Sequence, residues 1–131
     1  MKKIGILNKD ISEVIAGLGH MDTITIGDAG LPVPEGTRRI DLAVKKGVPC
    51  FFDVLETVLE EYKVQKVTIA SEMVDVSPEV FGRIKELFKD VEIELISHDS
   101  FKERTKTSRA VIRTGEFTPY ANIILESGVV F

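Results

Sequence analysis

The two histidines are the side chains in this sequence that are best suited to acid/base chemistry. His20 and His98 are the only histidines in the chain. An imidazole gains and loses a proton near neutral pH, so it can act as a general acid or base without help from a cofactor. His20 follows the predicted end of a helix, and His98 follows the predicted end of a strand. Because α/β proteins gather functional groups at such ends, both are candidate site residues. The alternative for His20 is a surface side chain that caps helix carbonyls.

A carboxylate occupies another predicted corner of the fold. Asp28 lies between Gly27 and Gly30, directly after a predicted strand over 23–26. Its side chain could bond to its own backbone in an Asx turn. It could instead reach a hydroxyl group of a ligand, or His20. The residues alone leave these alternatives open.

A third candidate lies near the C-terminus, where Pro119 precedes Tyr120 and Asn122. A phenol and a carboxamide can both donate and accept hydrogen bonds. In extended backbone, residues two apart point to the same side. Such a pair suits recognition of a polyhydroxylated ligand. The alternative is a capped turn that leads into a strand.

Other kinds of site have little support. The sequence holds no Gly-x-Gly-x-x-Gly pattern, phosphate-binding loop or nucleophile elbow. Two histidines in different elements give only weak support to a metal centre, so we expect neither metal nor cofactor. A hydrogen-bonding role suits His98 better. Cys50 sits in an apolar run and is predicted to be a buried small hydrophobic residue, because no neighbour would stabilise its thiolate.

Hydrophobic periodicity supplies the elements that would position these groups. Asn8 is the predicted N-cap of a first helix, which ends before Gly19 as its C′ glycine. Ser77 and Pro78 mark another helix start. Further helices are predicted over 52–62 and 100–106, and strands over 23–26, 39–42, 67–70, 91–96, 109–114 and 122–126. Alternating strands and helices predict one α/β domain over 1–131, a three-layer sandwich with a largely parallel central sheet flanked by helices.

Composition limits the classes of partner and the cellular location that fit this chain. Net charge is −4 and basic residues are scattered, so nucleic acid is an unfavourable ligand, and the Arg38-Arg39 pair is interpreted as a solvated edge. No window approaches the roughly 20 apolar residues of a membrane span. The single cysteine suits a reducing compartment, and the N-terminal apolar stretch is too short for secretion, so we expect a cytoplasmic protein. The apolar C-terminus over 129–131 is predicted to join the core, with a subunit contact as the alternative.

Four segments together resemble the D-ribose pyranase and fucose mutarotase family, in the family's order and across nearly the whole chain. The last is the most specific, because its ten residues have no generic structural reason to occur together. The segments are Gly19-His20-Met21-Asp22, Gly27-Asp28-Ala29-Gly30-Leu31-Pro32, Ile96-Ser97-His98 and Arg113-Thr114-Gly115-Glu116-Phe117-Thr118-Pro119-Tyr120-Ala121-Asn122. The corner over 29–32 is similar to the ribose branch.

The resemblance implies an isomerase that interconverts β-pyranose and β-furanose forms of free D-ribose for ribose utilisation, without metal or nucleotide. By motif position His20 would be the catalytic acid/base. The sugar would be bound by Asp28, His98, Tyr120, Ala121 and Asn122. The resemblance also implies a homo-oligomer, a decamer of two pentameric rings, in which a neighbouring subunit supplies the Tyr-x-Asn segment.

Three alternatives remain open at this point. One is the related fucose mutarotase activity. Another is a non-catalytic sugar-binding module associated with ribose uptake. The third is a structural ring-forming protein whose polar C-terminal segment serves only assembly.

Overall fold

One six-stranded sheet organises the chain, and the computed structural model describes all 131 residues. The strands are β1 Thr23–Gly27, β2 Arg38–Asp41, β3 Val64–Ala70, β4 Glu92–Ile96, β5 Ala110–Arg113 and β6 Ile123–Ser127. Their order is β2-β5-β1-β6-β3-β4. Strand β6 is antiparallel to both of its neighbours, and the other ladders are parallel. All six predicted strands are present, and the largely parallel sheet is confirmed.

Helices cover both faces of this sheet. They are α1 Lys9–Gly17, α2 Phe51–Leu59, α3 Glu72–Val76, α4 Pro78–Leu87 and α5 His98–Arg104, and a single 3₁₀ turn spans Thr105–Thr107. Successive residues of a strand face opposite sides. Accordingly Ile123 and Leu125 join the main core with α1, α2 and α4, whereas Ile124 packs with Phe101 of α5. This confirms the three-layer architecture. None of the helices is both long and apolar enough to cross a bilayer.

The first helix begins as predicted and ends differently. The Ile11 backbone N–H donates to Asn8 Oδ1 at 2.9 Å, so Asn8 is the N-cap. The helix ends at Gly17, and its C-cap Leu18 is extended. The left-handed residue of this turn is Met21, with φ 70°, rather than Gly19. The chain therefore turns beyond His20, and the carbonyl groups of the helix end lie further back than predicted.

Tyr62 lies outside α2, although its apolar ring suggested a helical position. Its hydroxyl enters the core and bonds to Ser127 Oγ at 2.8 Å, and donates to the Leu125 carbonyl at 3.1 Å. Burial raises the pKa of Tyr62 to about 12. This hydroxyl anchors the connection before β3 to the end of β6. Periodicity did not separate this packed loop residue from a last helical turn.

Two small residues also differ from their predicted roles. Ser77 makes no capping bond at α4; instead its hydroxyl donates to the Pro119 carbonyl at 2.6 Å. Cys50 is half-buried rather than buried, and it caps α2 by accepting the Asp53 N–H at 3.5 Å. Burial raises the pKa of the Cys50 thiol. A thiol held protonated is a poor nucleophile, which agrees with the structural role expected for it.

The prediction that the C-terminal residues join the core is wrong within one chain. Val130 is 85% exposed and Phe131 is fully exposed, since no element of this fold lies over them. A subunit contact is the alternative that survives. Other apolar side chains are exposed near the same end, including Met21 at 60%.

Gly115 allows two loops to approach each other closely, and so fixes the segment that leads to Tyr120. Its N–H donates to the Pro49 carbonyl at 2.8 Å, and its own carbonyl accepts the Gly47 N–H at 2.6 Å. A Cβ at this position would lie 2.5 Å from the Lys45 carbonyl oxygen and 2.6 Å from that of Val48. Backbone atoms on both sides leave no room for a side chain.

We therefore expect Gly115→Ala to lower the free energy of unfolding by about 1–3 kcal/mol, as overpacking does. The matched control is Gly82→Ala within α4, where an added Cβ meets nothing within 4 Å. That change should instead stabilise by about 0.4–1 kcal/mol, because alanine restricts the unfolded chain. Urea unfolding of both variants at equal protein concentration measures the difference. Equal stabilities would contradict the close approach at Gly115.

Candidate functional site

One end of the sheet brings four of the predicted site residues together. Asp28 follows the last residue of β1, and His98 begins α5 two residues after β4 ends. Tyr120 and Asn122 lie just before β6 begins at the same end, because β6 runs opposite to β1. The sheet topology thus converts four distant sequence positions into one cluster.

A reciprocal pair of hydrogen bonds joins Asp28 to Asn122. The Asp28 backbone N–H donates to Asn122 Oδ1 at 2.8 Å, and Asn122 Nδ2 donates to Asp28 Oδ2 at 3.0 Å. The other carboxylate oxygen accepts the Gly30 N–H at 2.9 Å, which is the Asx turn considered above. Asn122 is fully buried and Asp28 is half-buried. Asn122 therefore fixes the carboxylate, which faces the end of the sheet.

His98 offers an atom that the protein leaves unpaired. Its Nδ1 is buried and has no hydrogen-bond partner. Its backbone N–H donates to both carboxylate oxygens of Glu72, at 2.9 and 3.1 Å, and this bond lowers the pKa of Glu72. The ring packs edge-on against Tyr120, with centroids 5.0 Å apart, and stacks on Phe101. Because buried polar atoms are usually satisfied, this unpaired ring nitrogen marks His98 as a candidate ligand contact rather than a purely structural side chain.

Tyr120 is held in an unusual backbone conformation. Its φ is 61°, and the Ala121 N–H donates to the Thr118 carbonyl at 3.3 Å, across a turn with Pro119 at its second position. This is the pattern of a type II turn, where glycine usually occupies the left-handed position. Left-handed non-glycine residues concentrate at functional sites.

The turn also corrects the expected geometry of the Tyr-x-Asn segment. The backbone is not extended, because the Asn122 N–H donates to the Tyr120 carbonyl at 2.8 Å. As a result the two side chains do not share a face: Tyr120 is half-exposed, whereas Asn122 points into the protein. Ala121 is fully buried, backbone included, so within one chain it offers no exposed atom to a ligand.

A cleft of about 430 Å³ opens beside Asp28 and supplies residues that the sequence did not single out. Arg113 lines it and donates to the Ala29 carbonyl at 3.0 Å. Glu116 also lines it, and its carboxylate accepts backbone N–H groups of Phe51 and of Thr118. These bonds lower the pKa of Glu116 against the opposing effect of its burial. A carboxylate that binds several backbone groups acts as an anchor of the loop. Sequence spacing carries no signal for that role.

His20 lies at the opposite end of the sheet. It precedes β1, and its neighbour Met21 donates a backbone hydrogen bond to the carbonyl of Ser127, the last residue of β6. The five residues of β1 separate His20 from Asp28, a span of roughly 16 Å at about 3.3 Å per residue. The imidazole is exposed, and its Nε2 lies 3.0 Å from Gln65 Oε1.

Asp22, rather than Asp28, is the carboxylate that organises the turn around His20. It accepts the Gly19 N–H at 2.8 Å and a hydrogen bond from Arg109 at 2.8 Å, and these two bonds lower the pKa of Asp22. It therefore braces the backbone on both sides of the imidazole. An interaction between Asp28 and His20 of the same chain is excluded by the length of β1.

The predicted site residues therefore divide into two groups within one chain. Asp28, His98, Tyr120 and Asn122 lie together, and His20 is separate. Tyr120 and Asn122 therefore lie with Asp28 and His98 of their own chain, so the expected sharing of the site between subunits would concern His20. The isolated member is the histidine.

Known proteins match this chain over its whole length. A family model described as the RbsD / FucU transport protein family matches residues 1–130. Proteins named D-ribose pyranase are 54% identical in Limosilactobacillus fermentum and 56% identical in Clostridium perfringens, each over all of both chains.

Solved structures agree with the sequence matches. The structure of Bacillus subtilis RbsD complexed with D-ribose is 51% identical, covers all of both chains and superposes with a TM-score of 0.97. A fucose mutarotase from Streptococcus pneumoniae, in complex with L-fucose, is 25% identical over 95% of each chain with a TM-score of 0.79. With its full-length family match, its six-stranded sheet and its cluster around Asp28, the chain belongs to the RbsD / FucU family.

Proposed function

We propose that this chain is an isomerase that interconverts the β-pyranose and β-furanose forms of free D-ribose, with His20 as its acid/base and no cofactor. The observation that carries the proposal is the similarity to D-ribose pyranases and to a ribose-bound structure, each over the full length of the chain. The polar cluster with an unpaired buried nitrogen supplies groups suited to a small polyhydroxylated ligand.

The reaction needs only proton transfers. A pyranose is a hemiacetal, so ring opening requires a proton on the ring oxygen and loss of the proton from the anomeric hydroxyl. Reclosure as a furanose requires attack of the 4-hydroxyl on the same carbonyl carbon. A positioned imidazolium can deliver the ring-oxygen proton while a water takes the anomeric proton; on reclosure the imidazole recovers the proton of the 4-hydroxyl and water returns one to the carbonyl oxygen. Such help is worth about 10²–10⁴ in rate. This is sufficient because the uncatalysed ring already opens slowly in water.

The cluster would hold the sugar during this exchange. Asp28 can accept hydrogen bonds from sugar hydroxyls, and its orientation is fixed by Asn122. The half-buried His98 ring and the Tyr120 hydroxyl are the other groups that would bind it. Ala121 and Asn122 are fully buried, so their part would be to hold Tyr120 and Asp28 in place beneath the sugar. Holding the open chain keeps the 4-hydroxyl near the carbonyl carbon, which is the proximity part of the catalysis.

Assembly of several copies would complete the site. His20 lies about a strand's length from the cluster, so the histidine that meets a bound sugar comes from another copy of the chain. Apolar side chains are exposed at both ends: Met21, Val130 and Phe131 near His20, and Phe117 near Asp28. Unlike ends that pack together form a head-to-tail contact, and such contacts close into rings. We therefore propose a homo-oligomer, and the family resemblance implies a decamer of two pentameric rings.

The proposal also covers the cellular location of the protein and the sugar that it prefers. A cytoplasmic location is supported by the single cysteine, which forms no disulfide. Fucose mutarotase activity is the second candidate, favoured by the L-fucose-bound relative. That relative is only 25% identical, whereas the ribose-bound one is 51% identical, so ribose is the preferred substrate.

Removal of the imidazole should abolish catalysis and spare binding. We expect His20→Ala to lower the pyranose–furanose exchange rate by about 10²-fold or more, the usual contribution of an acid/base group. The measurement is exchange NMR on ribose, repeated with fucose. Lys89→Ala, at an exposed position, is the control and should exchange at the wild-type rate. A His20→Ala protein that exchanges as fast as the wild type would remove His20 from the mechanism. A wild-type protein that binds ribose without accelerating exchange would identify a non-catalytic sugar-binding module.

Complementation between two inactive variants tests whether the site is shared. His20→Ala and Asp28→Ala oligomers should each be inactive. Co-expression with differently tagged chains yields mixed oligomers, in which roughly a quarter of shared sites contain both native side chains. We expect these mixed oligomers to recover a corresponding part of the wild-type exchange rate. If one chain supplied both residues, mixing would restore nothing, and the shared site would be disproved.

A further inference from the structure

His20 is the first member of a chain of hydrogen bonds that continues through Gln65 to Glu126, at the end of the sheet opposite Asp28. Its Nε2 lies 3.0 Å from Gln65 Oε1, and Gln65 Nε2 lies 2.8 Å from Glu126 Oε1. Gln65 and Glu126 are half-buried members of β3 and β6. Neither belongs to the groups assigned to sugar binding above.

A break in the β3–β6 ladder places Gln65 in this chain of bonds. Val64 pairs with Ser127 and Lys66 pairs with Glu126, so β3 advances two residues where β6 advances one. Gln65 is therefore the extra residue of a β-bulge. Bulges redirect side chains and are frequent beside active sites. In a regular ladder Gln65 would pair with a residue of β6. The bulge leaves it without a cross-strand partner, so its amide can reach both Glu126 and His20.

The carboxylate determines which way the amide faces. An ionised carboxylate can only accept hydrogen bonds, so the group that Gln65 turns toward Glu126 must be its NH₂. The amide oxygen of Gln65 is then left facing His20, and it too can only accept. It follows that His20 Nε2 is the donor and carries a proton.

We propose that Gln65 and Glu126 are positioning residues that hold His20 with its Nε2 protonated, so that Nδ1 is the atom that exchanges a proton with the sugar. This rests on the proposed function, in which His20 is the acid/base. In the neutral ring Nδ1 is the bare nitrogen, and in the charged ring it holds the transferable proton. The ring is also oriented, because one nitrogen is tied to β3.

Reversing the polarity of position 65 gives the sharpest test. Gln65→Lys places a donor-only group beside Nε2, which must then accept, so the neutral ring should carry its proton on Nδ1. A charge-conserving exchange, Gln65→Glu combined with Glu126→Gln, keeps the original polarity: the new amide donates to the new carboxylate, whose other oxygen accepts from Nε2. Glu92→Gln is the matched control, since it makes the same chemical change at an exposed strand position.

Nitrogen-15 NMR of the two imidazoles reports the result directly, with His20→Gln for assignment and His98 as internal reference. We expect the Nε2–H form in the wild type, the double variant and the control, and the Nδ1–H form in Gln65→Lys. The rate of pyranose–furanose exchange of ribose should fall by about tenfold or more in Gln65→Lys. In the double variant it should stay within about threefold of the wild-type rate.

The outcomes separate this inference from the proposed function. An Nδ1–H ring in the wild type, or an unchanged ring form in folded Gln65→Lys, overturns the hydrogen-bond assignment whatever the activity. Equal loss of exchange in Gln65→Lys and in the double variant overturns it too, because packing alone would then explain both. If the ring form inverts as expected while His20→Ala retains full exchange, the assignment of Nε2 stands and the proposed role of His20 fails.

Discussion

The antiparallel placement of β6 between β1 and β3 is the constraint on which the rest of the site depends. In a wholly parallel sheet the carboxyl ends of the strands meet at one edge, and ligands bind there. Here β6 begins at the edge where β1 ends, and it ends where β1 begins. One strand of five residues therefore delivers Asn122 to Asp28 at one edge and Glu126 to Gln65 at the other. The two halves of the proposed chemistry are fixed relative to one another by the rigid ladder of β6.

The same pairing of side-chain types occurs at both ends of β6. At each end a carboxylate accepts a hydrogen bond from a carboxamide: Asp28 from Asn122, and Glu126 from Gln65. An amide has a donor and an acceptor side, and a carboxylate partner decides which is which. At the sugar end this fixes the carboxylate that would receive hydroxyls. At the other end it fixes the imidazole. Buried or half-buried amides are thus used for orientation, and the reactive groups face outward.

Sequence reasoning recovered the parts of the fold that local physics determines. Six strands and the Asn8 cap follow from alternation, from periodicity and from the geometry of a first helical turn. It failed where a side chain serves a distant partner. Ser77 has the composition of a cap, but its hydroxyl holds the Pro119 carbonyl 42 residues away. Tyr62 fits the apolar stripe of a helix, but it lies outside the helix and its hydroxyl is hydrogen-bonded to Ser127. Neither bond leaves a trace in the spacing of nearby residues.

The structure brings four of the predicted site residues together, but in a geometry that the sequence did not show. The strand predicted over 23–26 already lies between His20 and Asp28, yet the sequence left a contact between the two side chains open, and the length of β1 excludes it within one chain. The backbone of Tyr120 is another example, because left-handed geometry is unusual for tyrosine and reverses the assumption of an extended segment. Gln65 escaped notice because its importance arises from a bulge, and a bulge is a property of two strands rather than one sequence window.

Separation of the histidine from the binding cluster has a consequence for how activity and assembly are linked. A single chain has His20 at one end of the sheet and Asp28 at the other, so under the proposed mechanism it would hold two half-sites and no complete site. Its exposed apolar residues at the same two edges, Phe131 and Phe117 among them, carry a cost in water that contact between unlike ends would remove. The burial that drives assembly and the approach of imidazole to sugar would then be one event. Isolated subunits would keep the binding cluster but would leave the ring forms of ribose to interconvert at their uncatalysed rate in water.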